Sequence, residues 1–551
     1  MTRKLIILLF LLGVFLLPQL SRAQDSLTLL AELWGEGEGD HFRACASAGD
    51  VNADGFMDII VGTRAGPGYA KIFLGSQDFD TIPDVKMVRH ADSAYVIYGM
   101  FGFSVACAGD VNKDGYDDVI VGDLYAYNED NDAWNGGKAY VYFGGNPMDS
   151  IPDVILKDSD VNYEYGWSVS SVGDVNGDGY DDVAVGAPED YYTKGKVYIY
   201  FGGEDMDNVL DVYIEGESCD ALGRSVAGIG DVNSDGYDDV LIGAPQWPHW
   251  PYPVGYSAIY FGGSQMDSIP DITFRGDSLE FLNFGRIVSS AGDVNGDGVD
   301  ELIVGGVSYK AGLFSKKPSN PAIEFDTLIL VGEDTLPSSF GLAISSAGDL
   351  NDDGCDEVIV GDRQCGKESK GKAYIFYGGS QIDSLFDITL VGDDLPGSSF
   401  GYEVASAGDI NGDGYNEVLV SSHGDSSQRG KVFIYTSKPT SVDEDNKKKT
   451  RLKEFFLYQN YPNPFNSTTT ISFTVNSKQK TDNSKTHVKL NIYNVLGQKI
   501  KTLIDELKSE GHYKVVWDSR NDSGEEVASG IYFCYLKTRK QSAIKRILFL
   551  K

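Results

Sequence analysis

Cysteine is scarce, with six residues in 551, too few for the disulfide framework that staples small secreted domains. Histidine is equally scarce at six, scattered with no second His nearby in any loop, which denies zinc its usual nitrogen ligands. Lys plus Arg number 46 against 82 Asp plus Glu, a formal net charge of -36. A chain this acidic repels nucleic acid. The longest apolar run, Leu5 to Leu17, has 13 residues, short of the roughly 20 that span a bilayer. No transmembrane helix is therefore expected in the mature chain. Catalytic signatures are missing as well: no G-x-S-x-G elbow, H-E-x-x-H helix, glycine-rich phosphate loop or paired C-x-x-C occurs.

What is present begins at the N-terminus. Arg3 and Lys4, the apolar run, and the small-residue site Ser21-Arg22-Ala23 read as a secretory signal over residues 1–23, cleaved before Gln24. Charge then divides the rest. Residues 442–551 carry 20 basic and 12 acidic side chains, whereas residues 1–441 carry 26 and 70. The change of sign marks a domain boundary.

Self-comparison exposes a nine-residue pattern, D-x-N-x-D-G-x-x-[D/E], seven times, starting at Asp50, Asp110, Asp174, Asp231, Asp293, Asp349 and Asp409. The spacings are 60, 64, 57, 62, 56 and 60 residues, a period that signals a repeat architecture. Together the seven loops hold 27 acidic side chains in 63 residues. Two carboxylates about 4 Å apart repel by roughly 4 kcal/mol at an effective dielectric of 20, so that density calls for a compensating cation.

Oxygens at positions 1, 3 and 5, a Gly at 6, a backbone carbonyl at 7 and an acid at 9 suit calcium better than compact, octahedral magnesium. Up to seven calcium ions are expected. Their side-chain ligands would be Asp50, Asn52, Asp54 and Asp58; Asp110, Asn112, Asp114 and Asp118; Asp174, Asn176, Asp178 and Asp182; Asp231, Asn233, Asp235 and Asp239. The remaining three sets are Asp293, Asn295, Asp297 and Glu301; Asp349, Asn351, Asp353 and Glu357; Asp409, Asn411, Asp413 and Glu417.

Strand signals flank every loop. A small-residue run such as SVSSVG precedes it, an apolar run such as DDVAVG follows, and then come KVYIYFGG and a looser strand like DVYIEG. Four antiparallel strands per repeat, seven times over, predict an all-β, seven-bladed propeller across residues 24–437, with small residues lining its crowded axis. The seventh repeat ends after its third strand, and Leu27 to Trp34 supply a fourth that would close the ring. The fifth repeat shows no clear third strand after Val304.

These residues resemble the FG-GAP repeat of integrin alpha propellers. Its Phe-Gly stands at Phe101-Gly102, Phe284-Gly285, Phe340-Gly341 and Phe400-Gly401, with Tyr165-Gly166 and Leu222-Gly223 as variants. Gly-Ala-Pro is intact only at Gly186 to Pro188 and Gly243 to Pro245, and the first repeat departs with Phe42-Arg43. The resemblance implies ligand binding on the face away from calcium. Loops of that face are aromatic in blades two to four, making Tyr125, Tyr127, Trp134, Tyr191, Tyr192, Trp247, Trp250 and Tyr252 candidate ligand contacts. The tetrapeptide Arg275-Gly276-Asp277-Ser278 matches the strand-end pattern of other repeats, so the repeat explains it.

After a charged linker, residues 438–453, a basic, strand-rich segment fills residues 454–551. Its YPNPFN (Tyr461 to Asn466), LNIYNVLGQKI (Leu490 to Ile500), ASGIYF (Ala528 to Phe533) and terminal KRILFLK resemble the type A C-terminal sorting domain of type IX secretion in Bacteroidota. That resemblance implies a small immunoglobulin-like β-sandwich, the type IX machinery as partner, and a secreted or outer-membrane surface location reached through the periplasm. The expected function is a calcium-binding adhesion or binding module for an extracellular protein or glycan, not an enzyme. The alternative is an extracellular polysaccharide-degrading lyase or hydrolase, or its accessory module, because abundant acids leave a carboxylate pair open.

Overall fold

A computed structural model describes residues 27–549 apart from 65–67, 90–99, 127–135, 159–163, 189–193, 218–219, 246–253, 277–281, 308–309, 318–322, 334–337, 380–381, 393–396, 424–427, 438–454, 458–464, 466–467, 476–485, 496–497, 509–510 and 539–541. The expected signal and linker lie outside the described residues. Two compact units emerge, residues 1–440 and 441–551. Among the described residues no helix is long and apolar enough to cross a membrane.

The first unit consists of seven four-stranded antiparallel sheets. Their innermost strands, Phe42–Gly49, Phe101–Gly109, Ser168–Gly173, Ser225–Gly228, Ile287–Gly292, Ala343–Gly348 and Val404–Gly408, pack successively against one another in a closed ring. Ala, Ser, Gly, Val and Cys predominate in these strands, where seven sheets converge, and larger residues such as Phe42, Arg43, Phe101 and Ile287 stand at their starts. Second strands such as Asp118–Asp123 and Asp182–Ala187 are buried along their whole length. Each is sandwiched between neighbouring blades: Ile120 and Val141 of one blade share a core with Val183, Val185 and Tyr198 of the next. An apolar run without alternation is what burial on both faces requires. The outer strands alternate, as in Val212–Glu215, where Val212 and Ile214 are buried and Tyr213 and Glu215 exposed.

Closure is made by the chain's beginning. Thr28–Trp34 pairs antiparallel with Lys431–Thr436, setting Leu33 opposite Val432 and Trp34 opposite Lys431. The fifth blade corrects the sequence reading: its third strand is Lys310–Lys316 and its fourth Phe325–Val331. The motif KAGLFSK hides that strand because Gly312 interrupts the apolar alternation. In the fold, the space beside Gly312 is taken by the Phe314 ring, which would meet a Cβ there at 2.9 Å.

The second unit has a three-stranded sheet of Phe455–Leu457, Thr469–Val475 and Gly511–Trp517, and a four-stranded sheet of Thr486–Asn494, Lys499–Lys508, Gly530–Lys537 and Ser542–Phe549. Their shared core holds Ile471, Phe473, Leu490, Ile492, Trp517 and Leu536, as in an immunoglobulin-like sandwich. Phe465, from the YPNPFN segment, is buried against Trp517 and Phe549 with ring centroids 5.5 and 5.0 Å away.

The described cysteines, Cys45, Cys107, Cys355, Cys365 and Cys534, are all free. Cys45, Cys365 and Cys534 are buried.

Candidate functional site

Each repeat loop joins an inner strand to the second strand of its blade, so all seven lie at one end of the ring. The local geometry follows from Asp and Asn side chains that bond their own backbone a few residues on. In the second loop, the Asp114 N–H is shared by Asp110 Oδ1 at 3.0 Å and Asn112 Oδ1 at 2.9 Å. Gly115 N–H donates to Asp110 Oδ2 at 3.0 Å, and Tyr116 N–H to Asp114 Oδ1 at 3.1 Å. The first, third and fourth loops repeat these bonds around Asp54, Asp178 and Asp235. Gly115 has φ 91°, and every position-6 Gly is left-handed between 82° and 93°. Position 4 is left-handed too, even where it is Ala53, Lys113, Ser234 or Asp352, a strain of about 1 kcal/mol each that the loop bonds offset.

Position 9 behaves differently. Asp118 is buried and its two oxygens accept the N–H groups of Val111 at 3.0 Å and Gly144 at 2.7 Å. Burial, with repulsion from positions 1 and 5, outweighs these bonds. It pushes Asp58, Asp182, Asp239 and Glu301 up to about 7, and Asp118, Glu357 and Glu417 up to about 8.

The Asp and Glu versions also differ in how they hold position 3. With Asp at position 9, the Asn amide donates to position 5, as from Asn112 to Asp114 at 3.0 Å. With Glu it donates to position 9, as from Asn351 to Glu357 at 2.8 Å and Asn411 to Glu417 at 2.6 Å.

Among the described residues no three His, Cys, Asp or Glu side chains are gathered as a ready metal cluster. What each loop offers is two carboxylates and an amide oxygen drawn to a common edge, beside a buried third acid. A donor set made entirely of oxygen fits a hard cation such as calcium.

Position 8, counted in the sequence among the acids of the loops, serves the neighbouring blade in four of them, whereas Asp300 of the fifth accepts from Ser290 Oγ of its own blade at 2.8 Å. Asp117 Oδ2 accepts the N–H of Asp50 at 2.7 Å, Asp181 that of Asp110 at 2.8 Å, Asp238 that of Asp174 at 2.9 Å and Asp356 that of Asp293 at 3.0 Å. The signal was an acid beside the position-9 acid, absent only from the first loop, which has Met57, and the seventh, which has Asn416.

Of the aromatic candidates on the other face, Tyr125 is half-buried just past Asp118–Asp123. Tyr127, Trp134, Tyr191, Tyr192, Trp247, Trp250 and Tyr252 lie outside the described residues. On that face the ring axis opens into a cavity of about 280 Å³, which the aromatic pattern did not foretell.

Comparison with known proteins agrees with this architecture. Residues 165–200, 222–261 and 400–435 match the FG-GAP repeat, and residues 463–542 match the FlgD Ig-like domain. The chain is 29% identical over 216 residues to integrin alpha-5 of Xenopus laevis, covering 37% of this chain and 20% of that protein. It is 34% identical over 144 residues to integrin alpha-6 of Homo sapiens, covering 26% and 12%. The matched stretch is thus a fifth or less of these curated relatives' length. Among solved structures, PorZ, described as an essential bacterial surface component of the type IX secretion system of Porphyromonas gingivalis, aligns with TM-score 0.38 and 13% identity. That alignment covers 94% of this chain and 60% of PorZ. Sequence and structure together make this an all-β chain of FG-GAP propeller blades, similar to those of integrin alpha subunits, followed by an FlgD-type Ig-like domain.

Proposed function

We propose that the chain is a secreted or surface-displayed propeller, loaded with calcium, that acts as a binding or adhesion module for an extracellular protein or glycan. The observation that carries this reading is the sevenfold recurrence of one oxygen-lined loop on one face of the ring. The Asp, Asn and Asp at positions 1, 3 and 5 would hold the ion, and the buried acid at position 9 would complete its charge. A bound divalent cation supplies the positive charge that these acids otherwise lack. Similarity to integrin alpha subunits supports binding over catalysis. Chelation should lower the melting temperature strongly, and calcium should restore it better than magnesium. A melting temperature indifferent to chelator would overturn the metal reading. Glycan-array and whole-cell binding identify the ligand class, and polysaccharide turnover measured on the same protein separates the degrading-enzyme alternative.

The C-terminal unit we read as the sorting domain of type IX secretion. Support comes from its Ig-like match and from Phe465 of the YPNPFN motif, which is buried beside Phe549 of the terminal KRILFLK. A reporter fused to residues 438–551 should reach the cell surface. Retention in the periplasm would refute sorting.

A further inference from the structure

The axial cavity is cationic in a strongly acidic unit. Arg64, Arg224, Arg286 and Arg363 line it together with Tyr402 and Glu403, and Arg43 lies over Tyr402 with its guanidinium 4.0 Å from the ring centroid. These residues come from blades one, four, five, six and seven and meet at the axis because each stands where an inner strand begins or a second strand ends.

Their sequence positions are the places where the repeat departs from its own pattern. The residue after Phe-Gly is Phe103, Trp167 or Leu342 in blades two, three and six, but Arg224 and Arg286 in blades four and five. Blade one omits the Gly and carries Arg43 directly. Two residues past the second-strand Gly, where blades three and four have Pro188 and Pro245, blades one and six have Arg64 and Arg363.

The described residues around these guanidiniums are few in acids and rich in rings. Among the described residues, Glu403 pairs with Arg64, and the Glu164 charge acts on Arg224. Buried Arg43 Nε has no acceptor among the described residues. Burial raises Glu403 despite the arginines around it, while the nearby cations add to burial at the basic groups. Burial and then Arg286 push Arg224 down to about 9; burial and then Arg43 push His423 down to about 4. Against burial, which would raise it, Arg43, Arg363 and Arg64 draw the Tyr402 phenol below its ordinary value. Stacking steadies the cations: Arg224 is 3.8 Å from the Trp167 ring centroid, Arg363 4.4 Å from Tyr402 and Arg64 4.5 Å from Phe103. A guanidinium held by its face keeps in-plane N–H donors suited to bidentate contact with an oxyanion.

We propose that this axial mouth is a binding site for a compact oxyanion, a carboxylate or sulfate group carried on a sugar-sized ligand. The cavity volume suits one such unit. The acidity of the surrounding unit disfavours a polyanion, whose further charges would face carboxylates rather than arginines. The assignment is separate from the calcium reading, since the two sites occupy opposite faces of the ring, and it extends the binding role by naming the ligand's chemistry.

The test is calorimetric titration of the full-length protein in saturating calcium with glucuronate, sulfate and glucose. Glucuronate or sulfate should bind at millimolar concentration or tighter, and glucose should not. Glucuronate alone identifies a carboxylate site, and sulfate alone a sulfate site. Arg286→Gln and Arg363→Gln should each weaken binding about tenfold, the loss expected for one charge-assisted contact, and Arg363→Lys should weaken it less. Where a variant does not fold, the wild-type protein decides: the bound anion should raise the melting temperature, and glucose should not. Absence of anion binding, equal binding of glucose, unchanged affinity in both folded Gln variants, or binding of polyglutamate without either small anion would overturn the proposal.

Discussion

The Asp181 carboxylate, in the third repeat loop, accepts the backbone N–H of Asp110, the first residue of the second loop, at 2.8 Å. Each such bond ties the rim of one blade to the next, so an acid that looks like a spare calcium ligand is a structural latch. Asp181→Ala leaves that N–H without its acceptor and should cost about 1–3 kcal/mol. Chemical denaturation with and without calcium should show the same loss. Asp114→Ala, at position 5, should instead reduce calcium uptake, read by titration.

Two glycines in the same region separate backbone strain from crowding. Gly115 has φ 91° and open space where a Cβ would stand, with nothing within 4 Å, whereas Gly109, at φ 77°, would drive a Cβ into the Asp181 carboxylate. Gly115→Ala should therefore cost about 1–2 kcal/mol from conformation alone. Gly109→Ala should cost distinctly more, and Asp181→Ala in the same chain should recover part of the difference. Equal penalties in denaturant melts would refute the crowding.

Ring closure rests on a short strand with one fully buried residue, Leu33, only 1% exposed. Leu33→Ala should destabilise the propeller by about 2–5 kcal/mol. Deleting residues 24–36 should unfold the ring cooperatively. Calorimetry reads both, and a deletion that leaves melting unchanged would contradict closure.

His423 accepts from Arg43 at 2.6 Å through Nε2, a bond that needs a neutral ring. Burial and then Arg43 hold its folded value at about 4, below the ordinary 6.5. A depressed folded value means that the stabilisation is present above about pH 6.5 and is lost as pH falls toward about 4. With allowance for solvent, the loss is about 1–2 kcal/mol. The melting-temperature gap between wild type and His423→Gln should therefore narrow from about pH 7.5 to about pH 5; a constant gap would exclude this titration.

Much of the ring was legible because its determinants are local and repeat. The Asp-Gly loop dictates its own turn, and blade burial writes apolar runs such as DVIVGD into the second strands. The closing strand was readable because the seventh repeat visibly lacked one. The fifth blade's third strand was not, since Gly312 yields its place to Phe314, a packing solution that hydrophobic alternation cannot show. The position-8 latch was hidden because an acid bonding across blades and an acid binding a metal have the same spelling. The arginines of the axial mouth were invisible for a related reason: no two of them are neighbours in sequence, and only ring geometry brings Arg64, Arg224, Arg286 and Arg363 together.

The pairing of Thr28 with Thr436, 408 residues apart, bears on how the molecule comes into being. Thr28–Trp34 precedes every blade in sequence yet pairs with the last strand of the ring, so every intervening blade must be made before the two can meet. Until then an open arc of blades exposes an unpaired edge at Lys431–Thr436 and a free segment at Thr28–Trp34. Contacts of such separation form slowly. A ring that cannot shut until Thr436 has arrived stays an open arc while its blades are being made.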